Sequence, residues 1–290
     1  MREIDKFFMP SRIPHLYHYT GVRALQGIVE SNAIFASNAY YLNDSQELLH
    51  GLQLLRSAAG QRIPGSEPHE AEFLSHLVKW LDVFKDTIYP IFICSLSEEG
   101  SLLSQWRSYT THGKGVSVAF SPKKLASLAI QQGCQIAKCI YAGKQQVELM
   151  EELLTLCLTS FRQDRLDLEK SESNIHLRFH NYLEGFRFEF LRVFAIVKHE
   201  AFAEEKEWRI IYADKTHLAR PILYREGASM MVPYVKLGLT PEDESEPLFD
   251  HVILGPSRHV ALSFHALHGY LASKKACFMI YNSNIPYREW

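Results

Sequence analysis

Residues 15–38 read HLYHYTGVRALQGIVESNAIFASN. IPHLYHYT (13–20) has the apolar and aromatic character of a short first strand, and it closes on His18 with a hydroxyl, Thr20, two residues later. Val22, Leu25, Ile28 and Val29 then recur at helical spacing, which predicts one buried helix face. From Ala33 the pattern is extended again, and Asn32 stands at the turn between, a residue type that accepts a left-handed conformation. The plain reading of His18 is a half-buried strand end whose ring caps a turn.

The pattern continues in kind. SQELLHGLQLL (45–55) places Leu48, Leu49, Leu52 and Leu55 on one face of a helix, with an N-cap expected at Asn43 or Asp44 and Glu47 as the nearby acid. QRIPGSEPHE (61–70) reads as a loop and AEFLSHLVKWLDVFKDTI (71–88) as an amphipathic helix. IYPIFICSLSE (88–98) is a continuous apolar run that suits a central buried strand. SLLSQWRSYTTHGKG (101–115) predicts a helix or ordered loop, and VSVAFS (116–121) and QIAKCIYAG (135–143) predict strands. Residues 144–199 turn helical, in two long amphipathic patterns joined by the polar KSESN (170–174). EWRIIY (207–212), the pair within ILYREGASMMVPYVKLGL (222–239), DHVILGPS (250–257) and KACFMIYNSNIPYR (275–288) return to strand, with a helix at 259–273. Strands at both ends and helices between them predict one α+β domain over 1–290, with a mixed, mostly antiparallel central sheet and a helical-hairpin insertion at 144–199. The aromatic-rich LRFHNYLEGFRFEFLRVF within that insertion needs cover, from the domain itself or from a second copy in a homodimer.

Composition excludes more than it selects. The chain has 290 residues, 47% hydrophobic and 22% charged, with 31 Lys plus Arg against 33 Asp plus Glu. A formal charge of −2 advertises neither nucleic acid nor an anionic membrane. The five cysteines contain no C-x-x-C and read as reduced core residues of a cytoplasmic protein. No stretch approaches the roughly 18 apolar residues of a membrane span, and MREIDKFFMPSRIP lacks a signal-peptide core.

The common catalytic signatures are missing: there is no G-x-S-x-G, G-x-x-x-x-G-K-[ST], H-E-x-x-H or G-x-G-x-x-G. His265 and His268 form an H-x-x-H without a third ligand nearby, so no metal is expected there. The residues that could carry chemistry are His18 with Thr20, Tyr40 and Tyr41, Trp106 with Arg107, and Glu207 in EEKEWR. Each has an ordinary alternative. Trp106 suits a core anchor, Arg107 a surface ion pair, and Glu207 a partner for Arg209 or a lysine.

YHYT, ALQGIVES, AIFASNAYYLNDSQE, ICSLSEEGSLLSQWRSYTTHGKGVSVAFS, KEWRII, VPYVKLG, VILGPS and SNIPYR, in that order, resemble the bacterial domain-of-unknown-function family 2971 over nearly the whole chain. The opening is more distantly similar to ADP-ribosyltransferases of the histidine–tyrosine–glutamate type, some of which modify DNA. That resemblance implies NAD as substrate, a macromolecular acceptor (DNA, RNA or protein), and a toxin or phage-defence setting. It implies His18 on the NAD ribose, Thr20 beside the nicotinamide amide, and Tyr40 or Tyr41 stacked on the nicotinamide. It implies Glu207 as the catalytic carboxylate; by side-chain chemistry rather than by the resemblance, Trp106 could stack on a bound NAD and Arg107 could hold its pyrophosphate as a bidentate partner. The chain departs from the pattern where Asn32, within IVESNAIF, replaces a glycine. The alternative on the same fold is a non-catalytic module that binds a nucleotide or a partner.

Overall fold

Asn32 adopts φ 45° and ψ 43°, and its backbone N–H closes the helix before it on the carbonyls of Ile28 and Val29. The first turn of the fold is therefore the left-handed cap that an asparagine permits. This computed structural model describes residues 3–8, 10, 12–42, 46–110, 115–170, 175–213, 220–227, 229–239, 246–283 and 285. The expected N-cap at Asn43, Asp44 and Glu47, most of the KSESN connection and the end of SNIPYR lie outside the described backbone or side chains.

Among the described residues, ten strands form one sheet: β1 (Leu16–Gly21), β2 (Ala33–Asn38), β3 (Ile91–Ser97), β4 (Gly115–Phe120), β5 (Gln135–Lys138), β6 (Glu207–Ala213), β7 (Leu223–Glu226), β8 (Met231–Gly238), β9 (His251–Leu254) and β10 (Ile280–Asn282). Pairing runs β10-β9-β4-β1-β3-β2-β8-β7, with β6 on β3 and β5 on β6. Only β9 and β10 are parallel neighbours, so the sheet is mostly antiparallel and the fold is α+β.

The centre of the sheet has an unusual register. β6 pairs with β3 along its whole length, from Ile91↔Ala213 to Ser97↔Glu207. The other edge of β3 is shared. β2 takes Phe92 and Ile93, β1 takes Ser97, and the two strands part over Cys94, Ser95 and Leu96. A split therefore opens in the middle of the sheet.

Helices α1 (Val22–Ser31), α2 (Gln46–Arg62), α3 (Pro68–Phe84), α4 (Leu103–Tyr109), α5 (Pro122–Gln132), α6 (Gly143–Lys170), α7 (Ile175–Glu184), α8 (Arg187–Phe194) and α9 (Val260–Ser273) surround it. Alternation along the strands feeds two cores on opposite faces. Phe92, Cys94, Leu96 and Ile210 pack with α1, α5 and α9, while Ile91, Ile93 and Ile211 pack with α2, α3, α6 and α8. The aromatic face expected to need cover finds it inside the chain, because Phe179, Tyr182, Phe186, Phe190 and Phe194 join the second core.

Several boundaries differ from expectation. β1 does not end at His18 but continues to Gly21, because β4 pairs with it from Leu16↔Phe120 to Gly21↔Gly115. The stretch read as a loop from 61 is helical through Arg62, and the last strand is only three residues long. The second limb of the 144–199 region breaks near Gly185 into α7 and α8. Helix α5, which the strand pattern around it obscured, has clear local signals: Ser121 caps it by accepting from the Lys124 N–H, and Gly133 ends it at φ 62°.

Candidate functional site

The split in the sheet brings His18 against β3. Its Nδ1 lies 3.0 Å from the Ser95 carbonyl oxygen, a group that β1 and β2 both leave without a ladder partner on that side. A carbonyl only accepts, so Nδ1 carries the proton and donates. Burial lowers the pKa of His18 and Arg225 adds to that, whereas the bond to Ser95 opposes it; the ring is neutral at pH 7. Nε2 is then an acceptor.

Beside His18 lies a cleft of about 50 Å³, room for a few water molecules. Tyr17, Tyr19 and Leu96 form part of its wall together with Gln105 and Tyr109 of α4, and Glu205 and Glu207 reach it from the start of β6. The register explains the meeting. Tyr17, Ser97 and Glu207 lie opposite one another on β1, β3 and β6, so Tyr17 and Glu207 are two strand spacings apart, about 10 Å.

Glu207 is 5% exposed and tightly held. Its carboxylate accepts from Arg209 Nε at 2.9 Å and Nη2 at 3.0 Å, and from Lys198 Nζ at 2.7 Å. Lys198 also donates to Glu205 at 2.6 Å, and Arg209 donates to the Ala195 carbonyl at 2.7 Å. Burial alone would raise the Glu207 pKa, but the Arg209 and Lys198 charges reverse it and hold the group at about 2. Two acids and two cations thus form one buried, compensated cluster. The turn that delivers Glu207 into it depends on Lys206 at φ 44° and on Ser97 Oγ, which donates to the Glu205 carbonyl at 2.7 Å.

Helix α4 is fixed by contacts that are structural. The Tyr19 hydroxyl donates to the Glu99 carbonyl at 2.6 Å and accepts from the Leu102 N–H at 2.9 Å. Trp106, 2% exposed, meets the Tyr19 ring edge-on at 4.8 Å and donates from Nε1 to Ser101 Oγ at 3.3 Å. It is the anchor of α4.

Of the residues expected at the site, His18 and Glu207 line the cleft and the others do not. Thr20 is buried in β1 opposite Val116. Tyr40 and Tyr41 lie in a short turn after β2, and Tyr40 packs against the helical core. Arg107 is exposed on α4, outside the cleft lining. The tyrosines at the cleft are those on either side of His18, a signal already present in LYHYT, together with Tyr109. Gln105 was passed over for its neighbours, and only the packing of Trp106 shows that position 105 turns toward the cleft. Arg225 was also missed; it donates from Nη2 to Ser37 Oγ at 3.0 Å, near the split.

All five cysteines are free and buried. His265 and His268 are exposed on α9. No described helix is long and apolar enough to cross a membrane.

Residues 105–210, a little over a third of the chain, match the profile of a family described as Protein of unknown function (DUF2971). That stretch contains most of α4, the Lys198–Glu205–Glu207–Arg209 cluster and most of β6, and it excludes His18. No curated protein and no solved structure matches the chain.

Proposed function

We propose that the cleft receives the nicotinamide–ribose end of NAD and that the chain transfers ADP-ribose to a macromolecular acceptor, DNA, RNA or protein, in a toxin or phage-defence setting. The observation that supports this reading is the meeting of His18 and Glu207, far apart in the sequence, in one cleft at the sheet split. The NAD glycosidic bond is already weak because its leaving group is a cationic pyridinium, so positioning does most of the remaining work. Neutral His18 offers Nε2 as an acceptor for a ribose hydroxyl, and the tyrosine rings provide flat apolar walls. Glu205 and Glu207 supply negative charge where positive charge develops on the sugar. The cleft has room for only a few water molecules, so it can receive no more than the edge of the nicotinamide–ribose end and most of the molecule lies outside it.

One observation favours a second reading, a module that binds a nucleotide without cleaving it. Glu207 already has two cations in contact, which weakens the field it can direct at a ligand. Calorimetry with NAD and a nicotinamide-release assay, with DNA, RNA and protein acceptors present, separate the two. Under the transfer reading, His18→Ala weakens NAD binding by about 5- to 150-fold, the loss of one hydrogen bond in a partly desolvated site. Glu207→Gln keeps most binding while turnover falls roughly 100-fold. Binding without release by the unmodified chain supports the second reading; neither binding nor release removes both.

A further inference from the structure

Strands β2, β8 and β7 lie across the split from His18, and one face of them differs from the rest of the sheet. Residues directly opposite in an antiparallel pair share a face, as do residues two apart along a strand. Ser37 lies between Ile93 and Tyr234, and Tyr234 lies opposite Leu223. Phe35, Ser37, Tyr234, Lys236, Leu223 and Arg225 therefore share a face. Along β3 the same face runs from Ile93 to Ser97, which meets Tyr17 and Glu207 at the cleft. Val235 and Leu237 turn the other way, into the core that holds α5.

Two rings and two cations meet there. Phe35 and Tyr234, both half-buried, have centroids 5.1 Å apart, and Lys236 Nζ stands 5.7 Å from the Phe35 centroid. Arg225 is an exposed residue whose guanidinium nevertheless lies down on the sheet, where Nη2 donates to Oγ of the buried Ser37 at 3.0 Å. Holding so long a side chain in place costs rotamer freedom, and the bond leaves most of its N–H donors unused. Neither Arg225 nor Lys236 meets a carboxylate among the described residues, whereas Lys198 and Arg209 beneath the cleft are both paired with Glu207. Glu226, the one acid in these three strands, alternates to the opposite face. The face is therefore positive, and Arg225 is near enough to His18 for its charge to oppose protonation of that ring.

We infer that this face binds a nucleoside diphosphate, with Arg225 and Lys236 on its two phosphates and the Tyr234 ring stacked on its base. The guanidinium fork matches phosphate oxygens, the ammonium acts as a point charge, and a tyrosine ring offers a flat surface to any base. Ser37 and Phe35, which lie beneath the two cations, are two apart on β2, about 7 Å, a separation that two linked phosphates bridge. One aromatic pair and two cations suit a single nucleotide. A strand of nucleic acid calls for a longer basic track, and the chain carries a formal charge of −2. The inference rests on the dinucleotide reading and gives the ADP half of NAD its place outside the cleft. β8 is two strand spacings from β3, about 10 Å, within the span of one dinucleotide whose other end lies at His18.

The test is calorimetry of the full chain with ADP, which lacks the nicotinamide end. ADP is expected to bind by itself. Arg225→Gln and Lys236→Gln each weaken it by about 10- to 100-fold through the loss of a charge-assisted contact. Tyr234→Leu, which keeps apolar bulk but not a flat ring, weakens it by about 5- to 100-fold. Arg225→Lys restores part of the affinity, because it keeps the charge without the fork. Lys85→Gln removes the same charge at the end of α3 and leaves ADP binding within about 2-fold. The substituted side chains are exposed or half-buried, so the variants melt close to the unmodified protein and a loss of binding is not a loss of fold. Absence of ADP binding, or ADP binding that ignores Arg225, Lys236 and Tyr234, overturns the inference. So does a twelve-nucleotide single strand of DNA that binds more tightly than ADP and weakens in the same variants. If nicotinamide is released from NAD while ADP binding ignores this face, ADP-ribosyl transfer stands and this inference falls. If ADP binding follows Arg225 and Tyr234 while NAD is never cleaved, the inference stands and the transfer reading falls.

Discussion

Glu207→Gln tests whether the charge cluster beneath the cleft holds the fold as well as the site. The carboxylate takes three charge-assisted hydrogen bonds, two from Arg209 and one from Lys198, and all three residues are at most 5% exposed. A glutamine of the same shape leaves two buried cations with Glu205 as their remaining acid. Removing one partner of a buried pair costs about 3–5 kcal/mol, because the stranded charge stays desolvated. Proton linkage through the same contacts gives a second order-of-magnitude figure. A carboxyl lowered from 4.5 to about 2 contributes about 3 kcal/mol at neutral pH. The two agree in size. The sign follows from the depressed pKa: the contribution is complete above 4.5 and is lost as the pH falls toward 2. Urea denaturation of the two proteins at pH 7 should differ by about 3–5 kcal/mol, and the gap should narrow on acidification below 4.5. The gap should also resist salt, since the pairs are buried. A difference under about 1 kcal/mol at pH 7, the size of an exposed pair, would refute the reasoning. So would a gap that stays constant through the acid range.

Two further outcomes follow from packing and titration. Gly51→Ala places a Cβ 2.8 Å from the Phe194 backbone where α2 crosses α8; despite a gain in helix propensity of about 1 kcal/mol, the variant should be less stable by about 1–3 kcal/mol in the same denaturation experiment. His18 has a lowered pKa because burial penalises its charged form, so its contribution is present above 6.5 and lost as the pH falls through the folded-state value. Thermal melts of His18→Gln across pH 7 to 5 should therefore fall less steeply than those of the unmodified chain, and parallel curves would count against a buried neutral ring.

Local chemistry was legible in the sequence. Asn32 announced a left-handed turn, and the periods of 144–199 and 45–55 announced helices. The alternation and apolar runs at 15–20, 91–97, 116–120 and 207–212 marked strands that do share one sheet. These follow from short-range rules, in which each residue's backbone preference and its spacing to near neighbours decide the element. His18 was also legible as a polar residue in an apolar strand, where burying it demands a reason, whereas Glu207 stands in the charged run EEKEWR and was singled out only through the resemblance.

Tertiary structure alone decided what surrounds them. The sequence offered Arg209 or a lysine as the partner of Glu207, but that both close on it and that the lysine is Lys198 depends on a turn at Lys206 folding the chain back on itself. The tyrosine pair at 40 and 41 looked as able to stack on a ligand as the pair around His18, and only the register of β1 against β3 places Tyr17 and Tyr19 at the cleft. Gln105 lies beside Trp106 and Arg107, yet the docking of Trp106 against Tyr19 sets the rotation of α4 and directs position 105 inward. A sequence fixes which way side chains alternate along a strand or helix, but the phase of that alternation relative to the rest of the molecule is set by pairing and packing between distant segments.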